Sequence, residues 1–294
     1  MKAIRWPSRD NRPPFFLALY LLLICLLATF LLVLGLPAEE ASWQADLQGH
    51  VDARFILWLL AGFAAQLIDG ALGMAYGVSS TAFLLSTGVH PAMASASVHL
   101  AEICTTAASG ISHWRLGNVD GQLFRKLAVP GIIGAMAGAL LISWVDGEIL
   151  KPFLSSYLAI MGGIVLWRGL RNRIPDKRPV NLPLLGLVGG FADASGGGGW
   201  GPIVTSTLLG RGGSPRTTIG SVNAAEFLVA VAASGVFTLF IGITHWTIIL
   251  GLVSGGVLAA PLGAWAARLL SHRVLLMVVG SVILFLSIRT LIQG

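Results

Sequence analysis

Apolar segments near 20 residues long recur along this chain of 294 residues, and they constrain its fold more than any other feature. A helix needs about 20 apolar residues to cross the roughly 30 Å of hydrocarbon in a bilayer. Only 11% of the residues are charged and 55% are hydrophobic, whereas a soluble domain carries about 25% charged residues. These observations predict an all-α polytopic membrane protein with the lipid bilayer as its solvent. The net charge of +6 is a sum over loops, so it indicates topology rather than nucleic-acid binding.

The apolar segments divide into continuous spans and two interrupted stretches. An additional N-terminal transmembrane helix is predicted over 15–36. The stretches 55–86 and 182–209 are interrupted at 69–73 and 193–199, so each arm has only about 9–14 residues and is too short to cross. Both stretches are therefore predicted to be re-entrant helical hairpins whose tips are buried in protein or line a cavity. The remaining spans are predicted at 92–114, 127–144, 149–167, 217–241, 246–267 and 274–291.

The distribution of Lys and Arg supports this order of spans, because cytoplasmic loops carry an excess of both residues. The basic N-terminus belongs in the cytoplasm, and the loop after the first helix, with Glu39 and Asp52, lies outside. If both hairpins enter and leave on one side, every basic cluster falls on the cytoplasmic side and the C-terminus lies outside. The exceptions Arg54, Lys151 and Arg289 are isolated residues at outer ends. The cytoplasmic clusters lie at 115–126, 168–178, 211–216 and 268–273.

The chain also contains an internal repeat. A shift of 124 residues, compared without gaps, produces 12 identities among the 34 positions 69–102. Low-complexity apolar sequence does not readily align acidic residues, prolines and glycines in this way. The informative pairs are Asp69 with Asp193, Gly73 with Gly197, Gly77 with Gly201, Thr81 with Thr205, Pro91 with Pro215 and Glu102 with Glu226.

The repeat defines the predicted organisation of the chain. Residues 55–168 form the first repeat, 169–181 a basic cytoplasmic linker and 182–294 the second repeat. The basic N-terminus, the additional helix and the external loop occupy 1–54. Each repeat holds one hairpin and three transmembrane helices, and because three is odd the second copy has the opposite orientation. Inverted repeats around interrupted helices are typical of secondary transporters, although channels share this plan.

The hairpin tips carry the residues that we expect to bind a substrate. Asp69 and Asp193 open the tips and have two compatible interpretations, as N-caps of the following half-helices or as titratable carboxylates at membrane depth. The tip glycines indicate either close helix packing or exposed N–H groups at half-helix N-termini, which attract anions. Because both halves hold the motif, the half-helices are predicted to meet near the bilayer midplane. The glycines are Gly73, Gly77, Gly196, Gly197, Gly198, Gly199 and Gly201.

A polar stripe follows the first hairpin at steps of three and four residues, which place its members on one helical face. Such a face avoids lipid and lines a cavity or packs on the hairpin. Glu102 and Glu226 are costly in a bilayer, and they are either proton carriers or neutral hydrogen-bond donors that hold the hairpins. His99 beside Glu102 could begin a metal site, but none is predicted because the repeat has Asn223 in place of His99. The stripe consists of Ser95, His99, Glu102, Thr106, Ser109 and His113.

These motifs resemble those of the TauE/SafE sulfite exporter family over roughly residues 55–291, without the N-terminal helix. The resemblance implies a multi-pass secondary transporter of the bacterial inner membrane, so that the outer side of the charge map, with the C-terminus, is the periplasm. It also implies a sulfur-containing substrate such as sulfite or sulfoacetate, or another small anion, which composition and spacing do not indicate. The motifs are Asp69-Gly-x-x-Gly73, Pro91, Ser97-Val98-His99-x-x-Glu102, Asp193, Gly197-x-x-x-Gly201-Pro202 and Gly220-Ser221-Val222-Asn223-x-x-Glu226.

We therefore expect a secondary transporter that exports a small anion without a cofactor, with a homodimer as one candidate assembly. A passive anion channel stays open as an alternative. An intramembrane serine protease, with Ser195 as nucleophile and His245 as base, is disfavoured because Ala71 is the repeat equivalent of Ser195. The predicted substrate-binding residues are Asp69, Gly73, Gly77, Thr81, His99, Asp193, Gly197, Gly201, Thr205 and Asn223, with Glu102 and Glu226 as coupling or structural acids.

Overall fold

The part of the chain that the computed structural model describes comprises residues 53–171, 179–243, 245–269 and 272–293. All regular secondary structure within these ranges is helical, which confirms the all-α prediction. The predicted N-terminal helix at 15–36 and the middle of the basic linker, 172–178, lie outside the described residues.

Each of the six continuous spans predicted after residue 90 is confirmed as a helix. These spans correspond to helices α3, α4, α5, α8, α9 and α10, and a π-helical turn, Gly201–Thr205, leads into the short helix α7. The helices are α1 Ala53–Leu72, α2 Tyr76–Ser86, α3 Pro91–Arg115, α4 Gly121–Trp144, α5 Gly147–Leu170, α6 Leu182–Gly196, α7 Ser206–Gly210, α8 Pro215–Phe240, α9 Trp246–Leu269 and α10 His272–Gln293.

Local sequence signals explain several helix boundaries. The Asp120 side chain accepts hydrogen bonds from the first N–H groups of α4 at 2.8 and 3.0 Å. Asp146 accepts one from the start of α5 at 2.8 Å. Helices α3 and α8 begin at Pro91 and Pro215, where the N–H that proline lacks has no partner inside a helix. These signals position the long helices that surround the two interrupted segments.

The distribution of polar and apolar side chains is the reverse of that in a soluble protein. Large apolar side chains are exposed, with Leu239 at 82% and Trp144 at 77%, whereas Glu102 is 2% and Asp193 1% exposed. Such a surface suits lipid rather than water. Within the described residues, α4, α5 and α8 are long and apolar enough to cross a membrane. These observations establish a membrane-embedded protein. Shorter apolar helical segments are Phe55–Gly70, Leu182–Gly196, Trp246–Ala260 and Leu276–Ile292.

Both predicted interruptions exist, but each begins four residues further along the chain than predicted. The first break is at 73–75 and the second at 197–199. Gly73 and Gly197 both have φ of 67°, a conformation that glycine adopts without steric cost. Helix α1 continues through the aspartate and reaches 20 residues, so the predicted arm length of about 9–14 residues is wrong for this arm. The reason is that a helix tolerates Asp and Gly, and α1 ends only at Gly73, where the backbone turns to positive φ. The re-entrant course of the hairpins stays a prediction.

Packing between the two halves follows the internal repeat. Helix α1 packs along α9, and its repeat equivalent α6 packs along α4. Helix α3 packs against its own equivalent α8, and α5 against α10. Glycines allow these close approaches: a Cβ atom on Gly62 would lie 2.3 Å from the Leu252 oxygen, and one on its equivalent Gly186 would lie 2.6 Å from the Leu127 oxygen. Each first hairpin arm therefore packs on a long helix of the other half. The opposite membrane orientation of the halves stays a prediction.

Candidate functional site

The two helix breaks contact each other directly. A Cβ atom on Gly198 would lie 2.3 Å from the carbonyl carbon of Gly77, and one on Gly201 would lie 2.8 Å from the Cβ atom of Met74. The Thr81 hydroxyl of α2 donates a hydrogen bond to the carbonyl oxygen of Gly197. The half-helices therefore meet, as the sequence predicts, and the close-packing interpretation of the tip glycines accounts for Gly77 and Gly201. Side chains at these positions would separate the breaks.

Asp193 caps the helical segment that follows the second break. Its Oδ1 atom accepts hydrogen bonds from the N–H groups of Gly199 at 2.8 Å and Trp200 at 2.9 Å. The aspartate lies in the last turn of α6 rather than at the N-cap position, so its predicted place was wrong although its side chain does bind the N–H groups of the next helix. Two N–H groups at the start of this segment, where the sequence indicated anion binding, are therefore bonded to a carboxylate of the chain itself.

Asp69 caps the helix after the first break much less tightly. It accepts one hydrogen bond, from the N–H of Tyr76, at 3.4 Å. Ala75, the N-cap residue of α2, contributes no side-chain hydrogen bond. Asp69 is half-buried, whereas Asp193 is 1% exposed. The positive end of the α2 dipole is consequently less compensated than that of the second segment.

His99 connects the polar stripe of α3 to the second break. Its Nε2 atom lies 3.3 Å from Oδ2 of Asp193, and its Nδ1 atom lies 2.8 Å from the carbonyl oxygen of Ser95. The Ser95 hydroxyl donates to the carbonyl oxygen of Ala194 at 2.8 Å. All four residues are buried. A network of polar groups thus joins α3 of the first half to α6 of the second.

The remaining predicted residues differ between the halves. Glu102 is 2% exposed and its Oε2 atom is buried without a hydrogen-bond partner, whereas Glu226 is half-buried. The Asn223 side chain donates to the Ser109 hydroxyl at 2.7 Å. Thr205, the equivalent of Thr81, is 0% exposed and its hydroxyl has no hydrogen-bond partner. Repeat-related residues are therefore used differently in the two halves.

The polar stripe avoids the surface as predicted. Four of its members are buried and two are half-buried, none being exposed. The buried members are Ser95, His99, Glu102 and Thr106, and the half-buried ones are Ser109 and His113.

Comparison with known proteins identifies the family of this chain. The family model for "Sulfite exporter TauE/SafE" matches residues 58–290. The chain belongs to the TauE/SafE family. It is 45% identical over 251 residues to "Probable membrane transporter protein YtnM" of Bacillus subtilis (strain 168), with 82% of this chain and 83% of the relative covered. It is 28% identical over 258 residues to "Probable membrane transporter protein ORF9" of Sinorhizobium sp, with 84% of this chain and 94% of the relative covered. No solved structure matches.

The resemblance drawn from the sequence motifs is thereby confirmed. The matched range also leaves out the predicted N-terminal helix, as the motifs do. As a TauE/SafE member the chain is a membrane transporter.

Sequence analysis missed two aromatic residues that hold the second break of this TauE/SafE protein. The Tyr157 hydroxyl of α5 donates to the carbonyl oxygen of Gly198 at 3.0 Å. Trp200 is fully buried, and its Nε1 atom donates to the carbonyl oxygen of Val222 at 3.2 Å. A signal existed for Tyr157, because the chain has only three tyrosines and a tyrosine inside an apolar span needs a partner for its hydroxyl.

A cavity of about 310 Å³ lies between α3, α4 and α8 of this TauE/SafE protein. Its lining is mostly apolar, but it includes Thr106 of the polar stripe and Arg115 at the end of α3. Arg115 belongs to a basic cluster that the charge distribution places in the cytoplasm. The cavity therefore connects one member of the stripe with the end of α3 that the charge distribution predicts to be cytoplasmic.

Proposed function

We propose that this chain is a secondary transporter that exports a small anion, sulfite or an organosulfonate such as sulfoacetate, across the bacterial inner membrane. One observation carries the proposal: two broken helices meet at their breaks, next to buried polar groups in an otherwise apolar protein. Discontinuous helices build the substrate sites of many secondary transporters. The class of substrate is taken from the description of the matched family.

The proposed substrate site lies between the tips Asp69–Gly77 and Asp193–Gly201. Its positive pole is the N-terminus of α2, because the first N–H groups of the second segment already donate two short hydrogen bonds to Asp193. The buried hydroxyl of Thr205 supplies a donor without a partner in the protein. These two features match the needs of an oxyanion, which accepts hydrogen bonds and carries negative charge.

Four carboxyl groups lie in this region and oppose the approach of an anion unless protons or a cation neutralise them. They belong to Asp69, Glu102, Asp193 and Glu226, and each glutamate lies within electrostatic range of both aspartates. An inside-negative potential favours export of an anion by about 2.3 kcal/mol per charge per 100 mV, so export does not require a proton gradient. Half-buried Glu226 is the proposed proton carrier if transport is coupled to protons.

Flux measurements in proteoliposomes test the function. We expect uptake of labelled sulfite or sulfoacetate into vesicles that contain the protein, driven by an interior-positive potential, and no uptake of acetate above protein-free vesicles. A saturable rate with counter-transport of unlabelled substrate distinguishes a transporter from a passive channel. Equal flux of all three anions, or none, would contradict the proposal. The protease alternative gains no support, because the Ser195 hydroxyl donates to the Phe191 carbonyl oxygen at 2.6 Å, as serines inside helices commonly do.

The proposed inverted orientation has a separate test. His90 and Ser214 are exposed repeat equivalents that precede α3 and α8, and neither has positive φ. In a background with Cys25 and Cys104 replaced by alanine, His90→Cys should react with an impermeant maleimide from the periplasm and Ser214→Cys only from the cytoplasm. Labelling of both from one side would exclude inversion.

A further inference from the structure

Three residues whose side chains can bind a metal ion converge beside the second helix break. They are His99, Glu102 and Asp193, and each contributes one potential metal-binding atom. These three atoms lie within 4.8 Å of one another. His99 and Glu102 are one turn apart on α3, and Asp193 comes from α6 of the other half. Two ligands that are each about 2 Å from a single ion lie roughly 3–4 Å apart. The 3.3 Å between Nε2 of His99 and Oδ2 of Asp193 falls in that range.

The hydrogen bonds of His99 indicate that its Nε2 atom faces the Asp193 carboxylate with no proton between the two atoms. The Ser95 carbonyl oxygen can only accept, so the 2.8 Å contact with Nδ1 requires the proton on Nδ1. In the neutral ring Nε2 then presents a lone pair toward Oδ2 of Asp193, and two acceptors face each other. A positive species between them resolves this conflict. Histidines that bind metals almost always donate their other ring N–H to a carbonyl or carboxylate, as His99 does.

Glu102 independently indicates that a cation binds here. Its side chain is 2% exposed, and its Oε2 atom has no hydrogen-bond partner. Leaving a buried carboxylate oxygen without a partner is costly. The absence of a side chain at Gly77 leaves room here, because a Cβ atom on Gly77 would lie 2.7 Å from Oε1 of Glu102.

From these contacts we propose that His99 Nε2, Asp193 and Glu102 bind one divalent transition-metal ion of the zinc or manganese type. One imidazole nitrogen and two carboxylates are ligands that such ions accept, whereas Mg²⁺ and Ca²⁺ prefer oxygen ligands alone. The ion would offset the two negative charges beside the second break and tie α3 to α6. The inference does not depend on which anion is transported.

The repeat offers a matched comparison within the same chain. The equivalents of His99, Glu102 and Asp193 are Asn223, Glu226 and Asp69. The Asn223 side chain lacks the imidazole nitrogen that zinc-type ions favour, and its amide nitrogen donates to the Ser109 hydroxyl. The structure therefore assigns the metal site to one half only.

Zn²⁺ binding by the purified full-length chain, without an affinity tag, tests the inference. We expect close to one Zn²⁺ per chain by elemental analysis after removal of loosely bound metal, and competition with a chromogenic chelator gives the affinity. His99→Asn, which copies the residue of the other half, and the isosteric Glu102→Gln should each weaken Zn²⁺ binding by more than roughly 10-fold. A loss of that size is seen even when only an outer partner of a ligand is removed.

Three controls separate the site from adventitious binding. His90→Ala, which removes an exposed histidine, should change neither the stoichiometry nor the affinity. Glu226→Gln, which changes the repeat equivalent of Glu102, should leave the stoichiometry unchanged. Co²⁺ added to the metal-free protein should give visible absorption bands that His99→Asn shifts or abolishes, a readout that a purely structural defect does not reproduce. Gel filtration shows whether each variant is folded. If the wild type binds no Zn²⁺ or Mn²⁺ more tightly than folded His99→Asn does, the inference is wrong.

Discussion

The first and second helix breaks are built on the same sequence pattern, but they hold their ends in different ways. At the second break Asp193 is buried and accepts two hydrogen bonds at 2.8 and 2.9 Å, while Tyr157 donates to Gly198. At the first break Asp69 is half-buried and accepts one hydrogen bond at 3.4 Å. A histidine contacts Asp193, whereas its repeat equivalent Asn223 bonds to Ser109.

This difference indicates a division of roles between the halves. The short hydrogen bonds at the second break hold its backbone in one position. Gly77, Gly198 and Gly201 allow the backbones of the two breaks to contact each other. The N-terminus of α2 at the first break keeps more of its positive potential, as the proposed anion site requires. The repeated sequence thus gives the two halves equivalent helix packing, whereas the hydrogen bonds of their equivalent side chains differ. The following predictions compare equivalent or neighbouring positions of the two breaks.

The largest effect is expected for glycines at the breaks. Gly198 has φ of 137°, and a Cβ atom there would lie 2.3 Å from backbone atoms of Gly77 and Val78. Gly198→Ala should therefore lower the free energy of unfolding by about 4 kcal/mol. Gly73→Ala should cost about 1–2 kcal/mol, because its Cβ atom would meet only the Ile219 side chain at 3.1 Å.

Denaturant titration in mixed micelles measures both glycine variants. Gly235→Ala serves as the control, since a Cβ atom at Gly235 meets nothing within 4 Å. Equal losses at Gly198 and Gly73 would show that the second break is not the more tightly packed one.

The second largest difference in stability is expected between substitutions of Asp193 and Asp69. Asp193→Ala leaves the N–H groups of Gly199 and Trp200 buried without acceptors, which should cost about 1–2 kcal/mol for each group and so no more than Gly198→Ala. Asp69→Ala removes one long hydrogen bond and should cost about 1 kcal/mol or less. The same titration measures both variants, and Asp193→Asn, which keeps an acceptor oxygen, should recover much of the loss. A larger loss at Asp69 would reverse the assignment of the fixed break.

The smallest effects on stability are expected for the threonines. Thr81→Val removes the hydrogen bond to the Gly197 oxygen and should cost about 1 kcal/mol. Thr205→Val removes a buried hydroxyl without a partner, so stability should stay the same or rise slightly. If Thr205 binds the proposed anion, Thr205→Val should nevertheless weaken substrate binding in calorimetry. Wild-type affinity in this variant would remove Thr205 from the site.

Much of the architecture was predictable from the sequence alone. Apolar length and the scarcity of charge determine a helical membrane protein, because a backbone in lipid must satisfy its own hydrogen bonds. The 124-residue repeat and the spacing of Ser95, His99 and Glu102 also predicted that the breaks meet and that this face is buried. These properties follow from local periodicity and from the solvent, so they need no knowledge of contacts.

Only the tertiary structure decided how the repeated residues are used. Asp69 and Asp193 occupy equivalent positions in the repeat. In the folded chain Asp69 accepts a single long hydrogen bond, whereas Asp193 accepts two short ones and contacts His99. Whether Gly77 and Gly201 expose their N–H groups or permit close packing depended on which backbone lies opposite. The convergence of His99 with Asp193, 94 residues away, could not be read from spacing. The reason is physical: side-chain partners are set by the distances between helices, which the periodicity of each helix does not contain.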